Sequence, residues 1–233
     1  MHVVITGASR GLGRAIAEQF VANGHTLYLG ARNETVLQET VKALRSRFPG
    51  SAIHAKAVDL GNRGGVENFG QWVIENCKSV DILVNNAGIY LPGSVHDEQE
   101  GFLERMMDNN LYSAYHLTRK LLPAMMNKMQ GHIFNICSIA SLQAYNNGGA
   151  YSISKFALLG FNKNLREEMK SYGIKVTAVL PGATYTDSWK GSNIDPKRIM
   201  EAEDIGKMVY ASSLLSAQAC VEEILLRPQL GDL

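Results

Sequence analysis

At 233 residues the chain fits one α/β domain or two small ones, and 45% hydrophobic against 19% charged residues supports a sizeable core and excludes a disordered chain. A formal net charge of +1 without a long basic run argues against nucleic acid as the main partner. Three cysteines, Cys77, Cys137 and Cys220, show no metal-type spacing and are odd in number, so neither a metal site nor a disulfide framework is expected, and the setting reads as reducing and cytoplasmic.

The chain opens on "MHVVITGASRG", which runs straight into a strand with no signal peptide, and no apolar run nears the ~18 residues of a membrane span, so no membrane partner is expected. After the first strand, "HVVIT", comes "GASRGLG", with Gly7, Gly11 and Gly13 between that strand and a helix over 13–23 that Gly24 closes. Backbone N–H groups and the positive end of the helix dipole at such a turn suit a pyrophosphate. The spacing G-x-x-x-G-x-G departs from the commoner G-x-G-x-x-G. The second strand, "TLYLGAR", ends on Arg32, nineteen residues after Gly13, where a dinucleotide fold that binds a ribose 2′-OH carries an acid. A guanidinium there suits a 2′-phosphate instead, and Arg10 inside the glycine loop can reach the same group from the other side. Glu34 is a competing contact for a ribose hydroxyl if the strand ends two residues later.

Further along lie a helix over 34–47, a strand "IHAKAVDL", a helix over 66–78, a strand "VDILVNN" and a long helix over 101–129. Next come a strand "HIFNICS", a helix over 151–172, a strand "IKVTAVLP", a helix over 202–217 and a last strand "VEEILLR". Several strands are apolar on both faces, as a parallel sheet covered on each side requires. The expected fold class is α/β: a single Rossmann-type, doubly wound parallel sheet of about seven strands with helices on both faces, one dinucleotide-binding catalytic domain over 1–233. Residues 185–198 break the rhythm with a polar run containing Gly191 and Pro196, and are expected to form a flap over a pocket.

In "NNGGAYSISKFALLGF", Tyr151 and Lys155 lie one helical turn apart and so on one face. A packed phenol beside a solvated lysine is the plain reading of such a pair. A cation ~4 Å from the phenol, at an effective dielectric of ~20, is worth roughly 4 kcal/mol, enough to bring a group that titrates near ~10 toward neutrality and make it a usable general acid.

Four ordered motifs, "TGASRGLG", "NNAG" at 85–88, "YSISK" at 151–155 and "PGATYT" at 181–186, together resemble the short-chain dehydrogenases/reductases, from Thr6 to about Thr186. The loop and the tail "VEEILLRPQLGDL" look most like ketoacyl-carrier reductases and sepiapterin-reductase-like proteins. The resemblance implies a tetrad of Asn, Ser, Tyr and Lys. Tyr151 would exchange the proton with the carbonyl oxygen, and Lys155 would lower its pKa and bond the nicotinamide ribose. Ser138, thirteen residues before Tyr151, would hold the substrate oxygen, with Ser141 a loop hydroxyl and Cys137 buried and inert. Asn110, favoured over Asn109, would sit at a local helix distortion and anchor a water on the proton path. For the cofactor, the resemblance implies Gly7, Ser9, Arg10, Gly11, Leu12, Gly13 and Arg32 around the phosphates, and Asp59 with Leu60 near the adenine. A strand-end Asp59 that caps the next turn is the competing reading. It further implies Asn86, Ala87 and Gly88 beside the adenosine ribose, Asn85 being structural, and Pro181, Gly182, Thr184 and Thr186 around the nicotinamide and its carboxamide.

These readings imply an NADP(H)-dependent oxidoreductase that reduces a carbonyl to an alcohol, on a 3-oxoacyl thioester, a pterin or a small ketone; the alternative is a non-catalytic NADP-binding regulator. A carrier-protein substrate wants a basic patch. Lys190, Lys197 and Arg198 contribute one, which Asp187, Asp195, Glu201 and Glu203 dilute. Tyr90, Tyr145, Tyr185 and Trp189 form an aromatic pocket or simply pack. A homodimer or homotetramer is expected, joined through the helices over 101–129 and 151–172.

Overall fold

A computed structural model describes residues 1–189 and 193–233, so Lys190 and Gly191 lie outside the described residues. The first half is a run of strand–helix units: β1 His2–Thr6, α1 Gly11–Ala22, β2 Thr26–Ala31, α2 Glu34–Arg47, β3 Ile53–Ala57, α3 Arg63–Asn76 and β4 Ile82–Asn85. The second half holds α4 Phe102–Met107, α5 Ser113–Lys128, β5 Gly131–Ile136, α6 Gly149–Met169, β6 Ile174–Pro181, the short β7 Thr184–Tyr185 and β8 Met200–Glu201, α7 Ala202–Ser213 and β9 Glu223–Leu226.

Seven strands form one parallel sheet in the order β3-β2-β1-β4-β5-β6-β9. The chain leaves β1 toward β2 on one side and reaches β4 on the other. That reversal opens a crevice at the carboxyl ends of β1 and β4, the usual ligand position in such sheets. Alternation along each strand feeds two cores. Val3, Ile5, Leu27 and Leu29 pack with Ile16, Phe20, Leu37, Ile205 and Val209 of α1, α2 and α7. Val4, Leu83, Ile133 and Val176 pack on the other face with Val66, Phe69, Leu117, Leu121 and Leu165 of α3, α5 and α6. Phe20 and Phe69 are fully buried, each burial worth about 1.5–3 kcal/mol.

Several expected boundaries shift for physical reasons. β3 stops at Ala57 rather than Leu60, because Asp59 Oδ1 accepts from Gly61 N at 3.0 Å and turns the chain. α3 starts at Arg63, three residues early, capped by Asn62 Oδ1, which accepts from Gly65 N at 2.8 Å. α6 begins at Gly149 and α7 ends at Ser213. The expected helix over 101–129 is broken by a π-helical turn, Asp108–Tyr112, between α4 and α5. The pairing of β7 with β8, which ties the two ends of the 185–198 segment together, was not expected at all.

Candidate active site

The glycine loop is held by close packing. A Cβ on Gly13 would stand 2.4 Å from the Gly7 carbonyl oxygen and 2.5 Å from Asn86 Nδ2, and Gly7 has φ +62°. Asn86 is the clamp: its Nδ2 donates to Thr6 O at 2.9 Å and Gly7 O at 3.1 Å. Thr6 Oγ1 accepts from Asn86 N and Ala87 N, both at 2.9 Å. Side chains thus fix the loop while the start of α1 stays open, with no side-chain cap and no acid in its first turn. That is a cradle a pyrophosphate fits, and a Cβ at Gly13 would force apart the loop that shapes it. Ser9 O accepts from Thr40 Oγ1 at 2.8 Å. Leu12 packs on the α1-side core and Leu60 is buried in the other.

Around this cradle, Arg32 is exposed at the end of β2, next to it in sequence. Arg10 is also exposed, and its Nη1 lies 3.6 Å from Asp187 Oδ2. The Asp59 carboxylate caps the next turn through Gly61 N, the competing reading of that residue.

At the ends of β5 and α6 the structure brings Ser138, Tyr151, Lys155 and Asn110 together. The Ser138 hydroxyl lies near enough to the Tyr151 phenol to favour its ionised form. Ser138 Oγ also accepts from Ala140 N at 3.1 Å, and Ser138 N donates to Ser141 Oγ at 3.2 Å, so Ser141 holds the serine turn. Lys155 is 6% exposed; its Nζ donates to Ile136 O at 2.8 Å and stands 5.8 Å from the centre of the Tyr151 ring. The π-helical turn carries Asn110 inward, where Oδ1 accepts from Ile89 N at 2.7 Å and Nδ2 donates to Ile89 O at 3.0 Å and Ser154 Oγ at 2.9 Å. Gly88 completes the corner: a Cβ there would lie 3.0 Å from Asn110 Oδ1 and 3.8 Å from Lys155 Nζ. Asn109 instead donates Nδ2 to Arg105 O at 2.8 Å, one turn back in the helix.

The electrostatics differ from the expected ones. Burial pushes the Tyr151 phenol above its ordinary value, opposed by the nearby Ser138 hydroxyl. Lys155 is not a cause of that shift; burial lowers its own pKa to about 8. The reason is geometric, since the ammonium sits over the ring and bonds a backbone carbonyl rather than the phenol oxygen. Burial also raises the Cys137 thiol to about 12, which makes it an unreactive neighbour.

On the nicotinamide side implied by the resemblance, Thr184 Oγ1 donates to Gly182 O at 2.9 Å, and Gly182 N donates to Leu226 O at 2.8 Å just past Pro181. Thr186 reaches over the glycine loop, its Cγ2 3.2 Å from where a Gly11 Cβ would be. Of the four candidate aromatics, Tyr90 meets the Tyr151 ring edge-on at 5.0 Å, and Tyr145 lies near both, its phenol pushed up chiefly by burial. Tyr185 lines a different cavity of about 820 Å³ with Arg198, Met208 and Leu230, which none of the tetrad borders. Arg198 spends its guanidinium on the tail, donating to Gly231 O at 3.0 Å and Asp232 O at 3.1 Å.

Three contributors carry no sequence signal of their own. Thr6 and its two amide bonds emerge only when β1 and β4 are side by side. A buried ladder joins Asn85 to Thr118 at 2.9 Å and to Asn135 at 2.8 Å, and Asn135 to Asn162 at 2.8 Å, behind the site. Glu98 accepts from Ala150 N at the start of α6. Among the described residues no group of His, Cys, Asp or Glu is placed to hold a metal, and no helix is long and apolar enough to cross a membrane.

A short chain dehydrogenase family model matches residues 1–197, and the chain belongs to that family. Its relatives include a sepiapterin reductase of Chlorobaculum tepidum, 32% identical over 99% of this chain and 97% of the relative. An NADP-dependent 3-hydroxy acid dehydrogenase of Salmonella typhi is 29% identical over 98% of this chain and 95% of the relative. In structure, the chain is similar to a metagenomic short-chain oxidoreductase crystallised in complex with NADP, with TM-score 0.85, 30% identity and coverage of 98% of this chain and 97% of that one.

Proposed function

We propose that this oxidoreductase uses NADPH to reduce a carbonyl to an alcohol, with Tyr151 as general acid. The observation that carries the reading is the convergence of Ser138, Tyr151, Lys155 and Asn110 on the crevice beside the glycine cradle. A phenol held above its ordinary value is protonated across the neutral range, the form needed to give a proton to a carbonyl oxygen. Ser138 donates to the same oxygen and keeps it within reach of the phenol. Lys155, mostly charged at neutral pH with its pKa near 8, holds the ribose and stabilises the phenolate left after transfer. Asn110, locked at the π-helical turn, carries a water that refills the proton. Gly7, Ser9, Arg10, Gly11, Leu12 and Gly13 hold the pyrophosphate, Arg32 the 2′-phosphate, Asp59 and Leu60 the adenine, and Asn86, Ala87 and Gly88 the ribose beside it. Pro181, Gly182, Thr184 and Thr186 border the nicotinamide, which supplies the hydride when bound.

The Tyr90–Tyr145 pair at the mouth favours a planar or apolar ketone such as a pterin side chain or diketone. Binding of Arg198 to the tail weakens the carrier-protein reading. Purified protein assayed with NADPH and NADH against pterins, diketones, aldehydes, 3-oxo acids and β-ketoacyl thioesters tests the class. Tyr151→Phe should lose roughly 10²–10⁴-fold in rate with NADPH binding kept; more than a tenth of the wild-type rate would remove Tyr151 from the acid role. The regulator alternative predicts no turnover with any ketone, and no observation favours it.

The whole chain acts as one dinucleotide-binding catalytic unit with 185–198 as its flap, in a reducing, cytoplasmic setting that the three free cysteines suit. Exposed Tyr112 beside α5, and Ile153 and Phe156 on α6, support a homodimer or homotetramer through these helices. Light scattering at micromolar concentration should give a multiple of 25.5 kDa, and a single-chain mass would end that reading.

A further inference from the structure

α6, the helix that bears Tyr151, starts without a cap of its own. Gly148 stands at the N-cap with no side chain to offer, and the first turn holds no acid. Such a start leaves backbone N–H groups without acceptors. Glu98 supplies one from 52 residues upstream: its Oε2 accepts from Ala150 N at 3.1 Å. Ala150 is fully buried and directly precedes Tyr151, and a carboxylate at this point also meets the positive end of the helix dipole.

Close approach is built into both partners. A Cβ on Gly93 would stand 2.7 Å from Glu98 Cβ, and one on Gly149 would stand 2.6 Å from Glu98 Oε2 and 2.4 Å from Gly93 O. Two further bonds tie the same segments: Ser94 Oγ with Asn147 Oδ1 at 2.8 Å, and Gly93 N donating to Asn147 O at 3.4 Å. Glu98 is held in turn by its own amide, which donates to Ser94 O at 2.8 Å. The segment that carries Glu98 also carries Tyr90, whose ring lies against Tyr151.

We propose that Glu98 is a positioning residue for Tyr151: a cap supplied from a distant part of the chain that fixes the first turn of α6 and so keeps the phenol beside Ser138. The proposal rests on Tyr151 as the proton donor, and only its catalytic half depends on that. The Glu98 oxygen does the capping, so an amide oxygen can replace it. A displacement of about 1 Å at the reacting centre can cost on the order of 100-fold in rate.

Three variants test it: Glu98→Ala, Glu98→Gln, and Gly93→Ala, whose added methyl pushes Glu98 off its seat from outside the site. Glu98→Ala and Gly93→Ala should speed hydrogen exchange across 149–155 about tenfold or more. They should lower kcat by roughly 10- to 100-fold while the NADPH Kd, read by fluorescence, stays within about twofold. Glu98→Gln should keep exchange and kcat near wild type. Wild-type exchange in Glu98→Ala would overturn the cap itself. Faster exchange with unchanged kcat, or Glu98→Gln as impaired as Glu98→Ala, would overturn the positioning role. A wild type that turned over no carbonyl would instead sink the reductase reading, with the exchange arm still deciding whether Glu98 caps α6.

Discussion

The starts of α1 and α6 face the same edge of the sheet, and both helices lack a cap in their own first turn. They are finished in opposite ways. α1 keeps its N–H groups open, pinched only by Gly7, Gly13 and the Asn86 clamp, with Arg10 directly before it and exposed Arg32 directly after β2. α6 receives the Glu98 carboxylate from another segment. Helix dipoles are alike, so what differs is the charge set in front of them. An open positive end with two cations is suited to an anion, and a positive end filled by a carboxylate is suited to holding a helix still. On the proposed reading one serves binding and the other placement.

The strongest way to break this comparison is to force apart the loop that shapes the open end. Gly13→Ala puts a methyl 2.4 Å from the Gly7 carbonyl oxygen, which is backbone, and 2.5 Å from Asn86 Nδ2, which two hydrogen bonds hold in place. Overpacking against groups that can move costs about 1–3 kcal/mol. Against this backbone the expected result is a loss of NADPH affinity beyond ~100-fold and a lowered melting temperature, read by fluorescence titration and calorimetry. Wild-type affinity would mean that the cradle does not bind the cofactor.

The next break concerns the cation behind the filled end. Burial lowers Lys155 to about 8, against ~10.5 in an unfolded chain. Between those values the unfolded chain keeps a proton that the native protein has released. Stability therefore gains from Lys155 as pH rises through that window, and the burial penalty is fully present below pH ~8. Lys155→Met should be the more stable protein at pH 7 by a margin that shrinks by up to about 3 kcal/mol toward pH 10.5. Paired urea unfolding curves at several pH values measure it, and a pH-independent margin would show that Lys155 titrates normally.

How far the sequence carries is itself uneven between the two helix starts. Glycines, strand ends and the Tyr151–Lys155 pair are local patterns, so all seven sheet strands and the α1 cradle are legible in order. The breaks in the pattern come from single side chains with turn chemistry: Asp59 ends β3 early and Asn62 starts α3 early. The Asn110 distortion follows from the family resemblance rather than from periodicity, which runs unbroken across 101–129. What links distant segments is not legible. Glu98 on Ala150, Thr6 on Asn86 and Ala87, Arg198 on the tail and the β7–β8 pair depend on contacts that spacing does not encode. The direction of the Tyr151 shift belongs here too, because burial is a property of the packed site.

The finest test of the open end asks which cation reads the phosphate. Arg10 already has Asp187 as a partner at 3.6 Å, an exposed pair of the kind worth about 0–1 kcal/mol. Its attraction for a 2′-phosphate is therefore partly spent. Arg32, exposed at the end of β2 where an acid would favour a ribose hydroxyl, is the main reader on the proposed assignment. Arg32→Asp removes a charge-assisted contact and sets a repulsive charge in its place. One such contact supplies roughly 1–3 kcal/mol of discrimination, so kcat/KM for NADPH over NADH should fall by about 10- to 100-fold. Added salt should shrink the difference, since Arg32 is exposed. A wild type that used NADH equally well, or a variant with unchanged preference, would move the reading of the phosphate away from Arg32 and leave Glu34 as the residue that meets the ribose.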